Sequence, residues 1–238
     1  MFRSLLAVAL AGCVALAFKA AVFDGFVLAP SRPDFFVYKL LGMSLDMSLV
    51  NFEISRQFFT HLKVSFSLGF IAAFPYICFE IWRFIAPALY AREKKALRSV
   101  FFWASLLFYA GIAVGYFLIL PITLNFFISY KVSEAVLNTI SLSSYISLLT
   151  STLLAFGLVF EFPAAITVLS RLGLVSREFL RKYRRHAIVV ILIIAALITP
   201  ADPFSMLVAA APLLLLYEAS VLLAARRGET EAREEPQL

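Results

Sequence analysis

Charge is scarce in this sequence: Asp, Glu, Lys and Arg make up 15% of 238 residues, against roughly a quarter in soluble domains. Hydrophobic residues reach 62%, more than a soluble fold of this length can hide. That balance excludes a cytosolic enzyme and a disordered chain. Cysteine is nearly absent. Cys13 and Cys78 are the only two, and both fall inside apolar runs, which excludes a disulfide-stapled secreted domain and favours packing roles. Histidine is as rare, and His61 and His186 lie on opposite sides of the spans described next, so they share no metal. No G-x-S-x-G, H-E-x-x-H, C-x-x-C or phosphate-binding Gly loop occurs. The expectation is a protein with no catalytic role and no cofactor.

What the chain does have is long apolar runs. A membrane-crossing helix needs about 20 such residues. Six runs qualify as spans: Phe2–Val22, Leu62–Trp82, Val100–Phe127, Tyr145–Ser170, Ala187–Thr199 and Pro203–Ala224. The first has only Arg3 as a basic lead and no small-x-small cleavage site, so it reads as a mature span and not as a signal peptide. The expected architecture is an all-α integral membrane protein, with one six-span domain over 1–225 and a disordered cytoplasmic tail over 226–238.

Loop charge sets the orientation. Six of the 21 basic residues lie on one side: Lys19, Arg32, Lys39, Arg56, Lys63 and Lys131. The other fifteen share the opposite side with both termini, which makes that side cytoplasmic. The net charge of +6 follows from these loops and does not indicate nucleic-acid binding. The outer segment Phe23–His61 carries apolar residues among its prolines and is expected to form short packed helices. Span five is stunted, about 20 Å long against roughly 30 Å of hydrocarbon. Pro200 stops it, and Asp202-Pro203 reads as an N-cap and first position that start span six. The bilayer beside this hairpin is expected to be thin. Pro75, Pro121, Pro163 and Pro212 are expected to bend their spans, and Gly111 with Gly115 to let helices approach.

Three acids sit within spans, where a carboxylate is costly. Glu161 lies about 15 Å and Glu218 about 12 Å from the cytoplasmic ends of their helices, and Glu80 is near its own. Two readings of Glu161 stand: a carboxyl hydrogen-bonded to a carbonyl freed by Pro163, or a functional acid on a surface that draws something cationic. Glu80 reads as interfacial and Glu218 as a packing contact. Glu93 is the single acid among Arg92, Lys94, Lys95 and Arg98, either part of a solvated run or an exposed anionic contact.

The stretch Ile81-Trp82-Arg83-Phe84-Ile85-Ala86-Pro87-Ala88-Leu89-Tyr90, followed by Arg92-Glu93-Lys94-Lys95, resembles the first cytoplasmic loop of the TatC family. Phe156-Gly157 with Phe160-Glu161-Phe162-Pro163, and Thr199-Pro200-Ala201-Asp202-Pro203-Phe204-Ser205, resemble it as well, and the likeness covers nearly the whole chain. TatC is the multi-spanning receptor subunit of the twin-arginine translocase. The resemblance implies a glove-shaped, concave bundle in the prokaryotic plasma membrane. It implies recognition of twin-arginine signal peptides on folded precursors and assembly with TatA/TatB-type single-span subunits. A homo-oligomeric receptor complex and transport driven by the proton motive force are implied too. Glu93 and Phe84, with Tyr90 and Arg92, would bind the signal. Glu161 would be the buried acid of the concave face. Asp202, Thr199 and Pro200 would form the outer hairpin where partner helices dock. A family segment of the form His-Leu-x-Glu-Leu-Arg is expected before span one, and a chain opening at Met1-Phe2-Arg3-Ser4 is expected to bind signals more weakly than a longer form. The alternative reading is a proton-coupled secondary transporter with Glu161 and Glu218 as its relay.

Overall fold

The computed structural model describes residues 2–43, 45, 47–86, 91–130, 133, 139–199 and 202–224, with backbone only at 2, 85 and 91–98. Apolar runs of helix formers become helices because lipid offers no partner for a backbone N–H or C=O. The order is α1 (Phe2–Ala17), a π-helical turn (Ala21–Val27), a 3-10 turn (Ala29–Ser31), α2 (Phe36–Leu41), β1 (Leu49–Val50), α3 (Arg56–Ile85) and α4 (Ala91–Val114). A second π turn (Gly115–Ile119), α5 (Leu120–Ser129), β2 (Ile140–Ser141), α6 (Leu142–Phe160), α7 (Phe162–Arg171), α8 (Arg177–Lys182), α9 (Arg184–Ile198) and α10 (Pro203–Leu223) follow. Among the described residues four stretches are long and apolar enough to cross a bilayer, Arg56–Phe84, Ser99–Ser129, Leu142–Arg171 and Pro203–Leu223, and the bent pair Arg3–Ala17 with Ala21–Val27 makes a fifth if counted as one.

The first and fifth expected spans differ from these. Span one is not a single rod to Val22, because α1 and the first π turn meet at 95°. Span five is the 15-residue α9, short as expected, at about 22 Å. The prolines also divide. Pro121 and Pro163 sit at the second position of α5 and α7, each just past a break, whereas Pro75 and Pro212 lie inside continuous helices. Before Pro121 the chain widens, and the Leu120 N–H reaches back five residues to the Gly115 carbonyl. A proline ring clashes with the carbonyl four residues earlier, and the extra residue in the turn relieves that clash.

Contacts divide the chain into two units, Met1–Glu80 with Ile112–Phe156, and Ile81–Gly111 with Gly157–Leu238. In the first unit, α1 and α3 touch backbone to backbone. A Cβ on Gly69 would lie 2.6 Å from the Gly12 nitrogen, a distance that only glycine permits. Three tyrosines from elsewhere bind carbonyls at the end of the first π turn and in the 3-10 turn. Tyr116 donates to Phe26 O at 2.6 Å, Tyr145 to Val27 O at 2.5 Å and Tyr38 to Pro30 O at 2.6 Å. Burial raises the Tyr38 pKa above the ordinary phenol value. The segment Phe23–His61 does fold into short helices, and it adds a pairing the sequence did not suggest, β1 parallel to β2 with Leu49 opposite Ile140.

In the second unit α10 packs against α7, α8 and α9. Ile166, Leu180, Tyr217, Val221 and Ala224 form its buried cluster. The Tyr217 hydroxyl donates to Leu180 O at 2.6 Å, which fastens the short α8 to α10. Several hydroxyls in the apolar helices are satisfied locally, as where Thr167 donates to the Pro163 carbonyl at 2.7 Å.

Candidate functional site

The expected signal-binding residues lie where α3 ends and α4 begins. Trp82 packs on Phe101 of α4 with ring centroids 5.6 Å apart, and Ala86 is buried. Between these two anchors Phe84 is 86% exposed, a large apolar ring held out of the packing. Arg92 and Glu93 belong to the first turn of α4, and their side chains lie outside the described residues, as does Tyr90 altogether.

Glu161 occupies the single-residue break between α6 and α7. Its N–H donates to Leu158 O at 3.1 Å, and its own carbonyl accepts from the Ala165 N–H at 2.9 Å. The side chain does not cap α7. It approaches the backbone of Phe108 in α4, and its buried Oε1 has no hydrogen-bond partner among the described residues. The carbonyl freed by Pro163 is therefore not the partner of Oε1. Fifteen residues separate Glu93 from Phe108 on α4, about 22 Å of helix. Glu93 and Glu161 thus sit at different levels and cannot grip one pair of guanidiniums together.

The other two span acids have simple partners. Glu218 accepts from Arg184 at 2.7 Å, the packing contact expected of it, and Glu80 accepts from the Tyr76 hydroxyl at 3.2 Å. Of the two acids in the transporter reading, Glu218 is already committed to a cation.

At the α9–α10 turn, Asp202 is the N-cap of α10: Oδ1 accepts the Ser205 N–H at 2.6 Å, and Pro203 takes the first position. Thr199 is buried and donates to Ala195 O at 2.9 Å, so its hydroxyl is spent inside α9. Asp202 Oδ2 and Ser205 Oγ are buried without partners among the described residues. Ser205 was not foreseen, although Asp-Pro-Phe-Ser places a polar side chain three residues after the cap, as a capping box does. Pro200 and the tail 226–238 lie outside the described residues.

Helices of this length and composition, with isolated acids and hydroxyls folded back on their own turns, define a multi-pass membrane protein. The family model for the Sec-independent protein translocase protein TatC matches residues 1–212. TatC of Blattabacterium sp. subsp. Periplaneta americana is 35% identical, over 94% of this chain and 90% of its own. TatC of Carboxydothermus hydrogenoformans is 37% identical over 86% and 85%. A crystal structure of a twin arginine translocase receptor, TatC, superposes with a TM-score of 0.77 at 33% identity over 93% of each chain. A second, in DDM, gives 0.79 at 32%. The chain belongs to the TatC family and is a component of a Sec-independent protein translocase.

Proposed function

We propose that this chain is the receptor of the translocase, binding twin-arginine signal peptides of folded precursors at the cytoplasmic loop between α3 and α4. The observation that carries the reading is the exposure of Phe84 beside a helix whose first turn contains Glu93. A carboxylate in water costs little to present, and it takes guanidinium in a two-pronged geometry that an ammonium does not copy. The exposed ring offers apolar contact to the residues that follow the arginine pair. Glu161, which approaches Phe108 about 22 Å further along α4, then lies beside the apolar part of a bound signal.

The chain crosses the membrane six times in this reading, with both termini cytoplasmic, the short α9 counting as one crossing and α1 with its bent continuation as another. The basic excess of the loops supports that orientation. The α9–α10 turn, with Asp202, Thr199 and Pro200, is the docking site for TatA/TatB-type helices, and the receptor works as a homo-oligomer drawing on the proton motive force. The six crossings form a single domain over 1–225 in the plasma membrane. The test is photocrosslinking of a twin-arginine signal peptide to a probe at position 84. The expected result is a strong adduct that Glu93→Lys abolishes. An adduct of equal yield in the variant overturns the assignment of this loop.

A further inference from the structure

The segment from Arg171 to His186 contains six basic residues and one acid, Glu178. It lies where two apolar helices end: α7 stops at Arg171, and the apolar run of α9 starts at Ala187. Only Arg184 of the six has an ion-pair partner among the described residues, namely Glu218. Lys182 sits 5.8 Å from the centroid of the Tyr183 ring, Arg181 and Arg185 are exposed, and Arg177 has a buried Nε with no hydrogen-bond partner among the described residues.

These cations are interleaved with exposed apolar side chains. Leu174 is 69% and Phe179 51% exposed, and Leu172 and Tyr183 are exposed too. Phe179 packs against Tyr183 with centroids 4.7 Å apart and the rings tilted at 47°. The patch is held firmly, because Leu180 of α8 is buried in the α10 cluster and its carbonyl is bound by Tyr217. Ser176 caps α8 by accepting the Phe179 N–H at 3.2 Å.

We propose that this segment is a docking surface for acidic phospholipid headgroups of the bilayer. Guanidiniums take phosphate oxygens in pairs, and a cluster of basic residues beside a membrane helix gathers anionic lipid. The exposed Leu and aromatic side chains enter the headgroup layer, where such rings are stable. A soluble acidic peptide leaves those apolar groups uncovered. A doubly cationic signal is repelled by this surface, so the patch is separate from the Glu93 loop. The inference rests on the membrane placement alone and stands or falls independently of the signal site.

The experiment reconstitutes the full chain in phosphatidylcholine bilayers. Electron spin resonance then measures the protein's selectivity for spin-labelled phosphatidylglycerol over spin-labelled phosphatidylcholine. The expected result is clear selectivity for phosphatidylglycerol that weakens as salt is raised. It drops by about five-fold or more in Arg177→Gln/Arg181→Gln/Lys182→Gln/Arg185→Gln. Removing charge elsewhere, in Lys19→Gln/Arg32→Gln/Lys39→Gln, leaves it unchanged. Equal affinity for the two lipids, or equal loss in both variants, overturns the proposal. Abolition of selectivity by millimolar inorganic phosphate, which points to free phosphate as the ligand, overturns it as well. So does binding of polyglutamate in place of lipid. If the fourfold variant does not fold, the salt titration of the unaltered protein decides: selectivity that salt does not touch is the contrary result.

Discussion

Arg184 and Glu218 meet at 2.7 Å, joining the first turn of α9 to the last turns of α10. Both side chains are about half exposed, at 58% and 43%, and pairs of that kind contribute roughly 0–1 kcal/mol. The neighbouring Tyr217 is buried and donates to the Leu180 carbonyl. Its removal leaves a buried acceptor without a donor, at a cost of about 1–3 kcal/mol. Glu218→Gln is therefore expected to lower stability less than Tyr217→Phe. Chemical unfolding of both variants in micelles checks the order, and the reverse order contradicts it.

Gly69→Ala places a methyl group 2.6 Å from the Gly12 nitrogen and 2.8 Å from the Val8 carbonyl oxygen. Neither obstacle is a flexible side chain, so α1 has to move away from α3. Overpacking of this kind costs about 1–3 kcal/mol. Gly25→Ala, where a Cβ meets nothing within 4 Å, is the matched control and is expected to be nearly neutral. Thermal unfolding midpoints of the two variants separate these outcomes.

Tyr145→Phe removes the donor to the Val27 carbonyl, which lies in a fully buried residue. The expected effect is faster amide exchange in the turn that follows α1, together with a stability loss of about 1–3 kcal/mol. Exchange there at the unaltered rate shows that Tyr116 and Tyr38 suffice to hold the turn.

Glu53 and Arg56 are exposed and hydrogen-bonded at 2.7 and 3.0 Å. The Arg56 guanidinium holds the Glu53 carboxyl below its ordinary pKa. A lowered folded-state pKa means that the pair contributes fully above the ordinary carboxylate range, and that the contribution fades as pH falls through the lowered value. The carboxyl carbon chemical shift of Glu53 is expected to titrate at a lower pH than in Arg56→Gln. Coincident titration curves contradict this.

The sequence made the second, third, fourth and sixth apolar spans legible, because length and composition alone decide which segments dissolve in lipid. It also exposed the start of α10, since Asp202-Pro203 acts within one turn. Prolines marked two of the places where a span departs from a regular helix, at Pro121 and Pro163, but Pro75 and Pro212 lie inside continuous helices. The 95° bend after Ala17 was not readable. No proline marks it, and the segment just beyond it is held by the hydroxyls of Tyr38, Tyr116 and Tyr145, the last two about 90 and 118 residues further on. The Gly12–Gly69 contact was hidden for the same reason, because spacing within one helix does not name its partner. At the site, the acids were legible as isolated charges in a charge-poor chain. Their separation along α4 was not, because it depends on which helix passes Glu161.

The central claim is that the carboxylate of Glu93 discriminates guanidinium pairs. It is tested most directly by measuring the affinity of the full chain and of Glu93→Gln for two signal peptides, one with paired arginines and one with paired lysines in their place. The account predicts that the unaltered chain prefers arginine by roughly ten-fold, one charge-assisted contact at about 1.4 kcal/mol, and that Glu93→Gln loses most of this preference. A preference that persists undiminished in Glu93→Gln contradicts it.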